Sequence, residues 1–352
     1  MKKRLKKIYS GLMYGLAYLC SLRGDVRRVA KFTKRILELD NRIRLDIYKR
    51  LPLKRSASSF EARVSEGDVL MAAAQENLAS EKFAEAVALS STYYNEIELS
   101  QLLSKVAIDG NVVVSQFAYN YYDIFKIWYA HLKKLNVTNF LAIALDPIVY
   151  SKMKALDIPC FYLPIFGYDR GVRTKIWRDT LLVRRAIIDL GYNYIHSDID
   201  AIWLKDPRRS FSGVDADIVF SEAHGTPGHI NEKWGFVACG GFYMMKSSDA
   251  TKLIFDEYIE FTERYGHDQN GMNELLQKYG TTWEDLPDGS HRGYCRKLNL
   301  KLHVVPQSII ARPSILEMIE ETCVMHPTLS CKTISGKIEM LKSFEVDTSL
   351  TL

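Results

Sequence analysis

The sequence predicts an α/β protein: a mixed, mostly parallel sheet flanked by helices, preceded by a helical extension. Two observations predict this. From Asp109-Gly110 onward, short β-branched apolar runs alternate with segments of helical periodicity. Before that point the periodicity is helical only. Charge is also uneven along the chain. Residues 1–55 hold 17 Lys+Arg against 4 Asp+Glu, and the remainder holds 30 against 38. The net charge of +5 is therefore an N-terminal property, and nothing in the main body marks a nucleic-acid binder.

The expected division is a helical, basic extension over 1–108, an α/β domain over 109–342 and a tail over 343–352. The apolar stretch 8–22, flanked by positive charge, is short for a membrane span and lacks a fitting signal cleavage site. It is suited to an anionic membrane surface. The expected setting is cytoplasmic, peripheral at the membrane, with a Golgi lumen reached through an N-terminal anchor as the alternative. Six scattered cysteines without CxxC spacing argue for reduced thiols and against a structural zinc site.

Within the domain, "NVVVSQF" reads as a buried strand and "YNYYDIFKIWYAHLKKLNV" as a helix. "TNFLAIALD" is a second strand, and "PIVYSKMKALDI" a helix with proline in its first turn. "PCFYLPI" is a third strand. A long helix, "GVRTKIWRDTLLVRRAIIDLGYN", stops at Gly191. The next strand, in "YNYIHSDIDAIWLKDP", delivers Asp198 and Asp200 to its carboxyl end, where open α/β sheets bind ligands. "AIWL" then returns to the core.

Two carboxylates at i and i+2 share one side of an extended strand. As hard oxygen ligands they suit Mn2+ or Mg2+ bound together with substrate phosphates. Gly240 and Gly241 interrupt the apolar run "WGFVACGGFYMM", which marks a place where a ligand or another backbone comes close. Asp268 and Gln269 open a helix, where an N-cap role is equally open. His326 comes late, with Lys332 and Lys337 beyond it. Segments 224–233 and 281–294 read as loops, expected to rim an acceptor cleft or to be plain surface.

The ordered set "KIWRDTLLVRRAIIDLGYNYIHSDIDAIWLKDP", "WGFVACGGFYMM", "DQNGMNELL" and "VMHP…GKIEML" resembles the nucleotide-diphospho-sugar transferase domain of glycosyltransferase family 77 over about residues 110–342. The resemblance implies a GT-A-type fold and retaining transfer from a nucleotide sugar, UDP-linked, to a glycan or other hydroxyl acceptor. Asp198 and Asp200 match the family's DxD, and His326 matches the histidine that completes the metal shell. Asp268 and Gln269 match the element facing the donor sugar. Lys332 or Lys337 would face the diphosphate, and the spacing does not choose between them. Lys175 and Arg178 are candidates for donor phosphate or sugar contacts. The N-terminal helical region has no counterpart in the family.

Retention can use a covalent intermediate, for which Asp268 is the nominee, or front-face attack with the leaving phosphate as base. The front-face route is favoured. Two other classes compete. A haloacid-dehalogenase-type phosphatase also places DxD after a strand, but there Thr or Val follows the second Asp, and here Ala201 does. A degenerate, non-catalytic domain would bind sugar or partners without turnover.

Overall fold

The computed structural model describes residues 96–163, 172–312, 320–327, 333–343 and 346–349. Two compact units divide the chain: residues 96–145 with 156–352, and residues 1–95 with 146–155. The expected start of the α/β domain at 109 thus falls inside the first unit, which begins at Glu96. Helix α1 (Glu96–Val106) belongs to it because Leu99, Leu103 and Val106, at i, i+4 and i+7, bury one stripe against the sheet's core. Lys332 and the apolar stretch 8–22 lie outside the described residues. No helix among the described residues is long and apolar enough to cross a membrane.

The chain then alternates as expected. Strand β1 (Asn111–Phe117) leads to α2 (Tyr122–Lys134), and β2 (Phe140–Ala144) is followed by α3 (Pro147–Ala155). Next come β3 (Cys160–Tyr162), α4 (Val172–Asp189), β4 (Asn193–Ser197) and the short β5 (Ile202–Trp203). A short helix α5 (Arg208–Phe211), β6 (Ile218–Ala223), α6 (Gly228–Trp234) and β7 (Val237–Met245) follow. Two helices, α7 (Asp249–Tyr265) and α8 (Asp268–Lys278), precede β8 (Thr282–Asp285), β9 (His291–Cys295) and β10 (Leu300–Val305). The remaining elements are β11 (Ile310–Ala311), β12 (Val324–Met325) and α9 (Ile334–Ser343).

The main sheet has nine strands in the order β3-β2-β1-β4-β7-β6-β10-β9-β8. Only β7 and β9 run against the other seven. The sheet is therefore mixed and mostly parallel, the expected GT-A-type arrangement. Strands β1 and β2 are buried along nearly their whole length, as strands covered on both faces must be. A separate three-stranded sheet, β11-β12-β5, stands beside the carboxyl end of β4.

The two segments expected as loops are partly ordered. Residues 228–234 form α6, ended by Gly235 in the left-handed conformation. Residues 282–295 form the β8–β9 hairpin. Trp283 lies so close over Gly293 that an added Cβ would sit 2.4 Å from its ring. A glycine facing a tryptophan across a strand pair reads as turn chemistry in sequence but packs as a hairpin.

Candidate active site

The Asp198–Asp200 segment is a turn, which corrects the expectation of an extended strand. Strand β4 ends at Ser197, and the Ala201 N–H donates to the Asp198 carbonyl at 2.9 Å. Ser197 Oγ accepts the indole N–H of Trp128 from α2 and of Trp203 from β5, each at 3.1 Å. Both tryptophans are fully buried. The apolar "AIWL" thus anchors the turn from its far side, and the two carboxylates converge because the chain reverses there.

Strand pairing supplies the rest. Antiparallel β4–β7 register sets Ser197 opposite Phe242, so Gly241 meets Asp198, whose N–H donates to the Gly241 carbonyl at 2.7 Å. Antiparallel β12–β5 register sets Met325 opposite Ile202. The next residue, His326, is carried to the turn. Its Nε2 lies 3.6 Å from Asp200 Oδ1 and 3.8 Å from Asp198 Oδ2. Lys337, from α9, bonds directly to Asp200 Oδ2. Asp200, His326 and Lys337 are buried, whereas 40% of the Asp198 side chain is exposed. The cluster therefore opens to solvent on the Asp198 side.

Both glycines are required by close approach. A Cβ at Gly241 would lie 2.4 Å from His326 Cε1 and 2.5 Å from Asp198 Oδ2. A Cβ at Gly240 would lie 2.9 Å from the Gln269 Cβ. The β6–β7 register shifts between Phe220 and Glu222, which is the irregularity that glycine in a strand announces.

The two carboxylates titrate apart. Burial and the neighbouring Asp200 charge push Asp198 up to about 6. Burial would also raise Asp200, but His326 and Lys337 outweigh it and hold it below the usual carboxylate range. Burial, then the Arg312 charge, lower His326 to about 4, so its imidazole is neutral at pH 7.

Asp268 and Gln269 stand at the start of α8, where His267 is the N-cap and its Nδ1 accepts the Gln269 N–H at 3.1 Å. Asp268 is buried, 3.7 Å from Arg184 Nη1 and 3.2 Å from His267 Nδ1. Burial would raise its carboxyl, but His267 and Arg184 hold it low. The Gln269 side chain accepts the Gly240 N–H at 3.2 Å and donates to the Thr226 carbonyl at 2.7 Å. Its amide ties β7 to the loop before α6. Arg178 is engaged by Asp179 at 2.7 Å and Glu263 at 3.0 Å. Lys175 lies on α4, one turn before Arg178.

Four residues near these groups were missed in the sequence. Arg184 is fully buried and donates to Tyr243 Oη and Gln116 Oε1, each at 2.9 Å. His196, two residues before Asp198, places Nε2 3.2 Å from Asp198 Oδ1 without hydrogen-bond alignment. Its period-2 spacing from Asp198 was the available signal. Arg312 and Cys239 flank His326, and only the parallel β11–β12 pairing, Ala311 beside Met325, brings Arg312 there. The four cysteines of the described residues are free and buried.

The donor set fits a hard divalent cation. One ligand atom from each of Asp198, Asp200 and His326 lies within 4.8 Å of the others. Two carboxylates with an imidazole suit Mn2+ or Mg2+, and the missing side chain at Gly241 lets Asp198 and His326 sit this close.

A model of the nucleotide-diphospho-sugar transferase family matches residues 135–341. The chain belongs to this family. Among members and relatives, the arabinosyltransferase XEG113 of Arabidopsis thaliana is 24% identical over 228 residues, covering 60% of this chain and 35% of its own. A UDP-D-xylose:L-fucose alpha-1,3-D-xylosyltransferase 3 of the same plant is 23% identical over 310 residues, covering 78% and 75%. This transferase-family chain thus spans about a third of the length of the first two curated relatives it matches. The crystal structure of the galactosyltransferase LgtC with donor and acceptor sugar analogues superposes with a TM-score of 0.39 at 13% identity, over 66% of this chain and 95% of that one.

Proposed function

We propose that this chain is a metal-dependent, retaining glycosyltransferase that moves a sugar from a UDP-linked donor to a hydroxyl of a glycan or other acceptor. The observation that carries the reading is the Asp198/Asp200/His326 cluster at the carboxyl edge of the sheet, in a chain of this family. The relatives named for arabinosyl and xylosyl transfer, one of them for UDP-D-xylose, direct attention to pentose donors first.

Asp198, Asp200 and His326 hold the cation. When bound, Mn2+ or Mg2+ stabilises the negative charge that grows on the diphosphate as the glycosidic bond breaks. Lys337, seated on Asp200, adds a fixed positive charge beside the leaving group. Gly241, by lacking a Cβ, lets Asp198 and His326 close against β7. Asp268 is already engaged by Arg184 and His267, which favours front-face attack over a covalent sugar on that carboxylate. In that route the acceptor proton passes to the leaving phosphate. The basic N-terminal extension is assigned a peripheral role at an anionic membrane surface.

The test is nucleotide release from a panel of UDP- and GDP-sugars, with and without Mn2+. Metal-dependent release from one donor is expected, together with inertness toward para-nitrophenyl phosphate. Metal-dependent nucleotide binding with no release from any donor, in the presence of diverse acceptors, would favour the non-catalytic reading.

A further inference from the structure

This inference rests on the transferase reading and concerns a residue that reading does not use. Arg312, at the end of β11, places Nη1 3.2 Å from His326 Nδ1 and 2.6 Å from Cys239 Sγ. Among the described residues no carboxylate lies within ion-pair distance of it. Among the described residues Arg312 is thus a cation without an anionic partner, beside the Asp198/Asp200/His326 cluster.

The charges at the cluster explain why that matters. Asp198 and Asp200 bring two negative charges, Lys337 and Arg312 bring two positive charges, and His326, whose Nδ1 accepts from the Arg312 guanidinium, counts as neutral. Among the described residues these charges sum to zero before any metal arrives. A divalent cation alone would leave the cluster at plus two, and that excess matches the two negative charges of a nucleotide sugar's diphosphate. The site is balanced for metal and diphosphate together, and not for metal alone.

Arg312 also sets the tautomer of His326. A guanidinium only donates hydrogen bonds, so Nδ1 must accept and the ring proton sits on Nε2, facing Asp198 and Asp200. A cation held by Nε2 needs that proton on Nδ1. Among the described residues the acceptor there is Cys239 Sγ, 3.9 Å away, and Arg312 must withdraw before it can serve. The ring's net charge does not change in this exchange. What draws a guanidinium away is an anion it can grip with two parallel N–H groups, such as a phosphate.

We propose that Arg312 is a coupling cation: without nucleotide it occupies His326 Nδ1 and weakens divalent-metal binding, and with nucleotide it moves onto the diphosphate, so that metal and nucleotide bind cooperatively. By reciprocity, each ligand raises the affinity for the other by the same factor.

The test measures Mn2+ affinity of the full chain by calorimetry or electron paramagnetic resonance, alone and with saturating UDP or GDP, whichever the wild type binds. Wild type should bind Mn2+ on the order of tenfold more tightly, or better, with nucleotide present. Arg312→Gln should tighten Mn2+ binding in the absence of nucleotide and weaken it in its presence, closing the gap from both sides. Arg312→Lys, which keeps the charge but loses the two-pronged grip, should retain only part of the coupling. Circular dichroism and the thermal midpoint establish that each variant is folded. If Arg312→Gln leaves the gap as in wild type, or weakens both affinities equally, the role is overturned while the transferase reading stands. If wild type binds no nucleotide with Mn2+, the transferase reading fails first.

Discussion

Two charged clusters meet β7, and they are built from similar residues to opposite ends. At Gly241, Asp198, Asp200 and His326 converge within 4.8 Å of one another on a side that opens to solvent at Asp198. Around Tyr243, Arg184 and Asp268 are sealed, with the guanidinium spread over Tyr243 and Gln116 and the carboxylate shared with His267. In the first cluster burial and like charge push Asp198 up to about 6. In the second, cationic partners outweigh burial and hold Asp268 low. The first cluster keeps one carboxylate, Asp198, whose charge the fold resists, whereas the second satisfies its carboxylate fully.

That contrast can be broken in several ways. The largest effect belongs to Asp200→Asn, which should lower metal-dependent nucleotide release by about a thousandfold or more, about 4 kcal/mol in the transition state, with an unchanged circular dichroism spectrum. Arg184→Met should act on the other property. It strands the buried Asp268 charge, and urea unfolding should show a loss of about 3–5 kcal/mol. Adding Asp268→Asn to that variant should recover part of the loss.

Gly241→Ala should come next. Its Cβ would push into His326 and Asp198, so Mn2+ affinity measured with nucleotide should fall by about tenfold or more, on the scale of a disturbed metal shell. The smallest effect is on pH. The folded pKa of His326, about 4, lies below the ordinary 6.5. The unfolded chain therefore takes up a proton that the folded ring refuses as pH falls below 6.5. In chelator, wild type should lose stability relative to His326→Gln on going from pH 7.5 to pH 5, by up to about 2 kcal/mol. A difference that stays flat across this range would show that the ring is not held neutral by its surroundings.

Much of the frame was legible because period and punctuation are local properties. The run from "NVVVSQF" to "YNYIHS" alternates strand and helix as its apolar spacing dictates, and Gly191 and Gly235 stop helices where a left-handed residue is needed. The carboxylate pair was legible from the strand before it and the apolar return after it. Its geometry was not, because a turn and an extended end differ only in the contacts of Ser197 with Trp128 and Trp203, which lie 69 and 6 residues away. Arg312 was invisible for the same reason: β11–β12 pairing alone sets it beside His326. Segments 224–233 and 281–294 read as loops from their Gly and Asp content, yet cross-strand packing of Trp283 over Gly293 makes a hairpin of the second. Charges whose partners come from distant elements cannot be sorted into site and scaffold until the sheet is assembled.

The most direct test of the central claim is anomalous diffraction from crystals of the full chain grown with Mn2+ and UDP. The account predicts a manganese peak bonded by Asp198, Asp200 and His326, with the diphosphate on its open side. Nucleotide bound in the sheet's carboxyl-end crevice with manganese ligated elsewhere, or with no manganese at all, would contradict it.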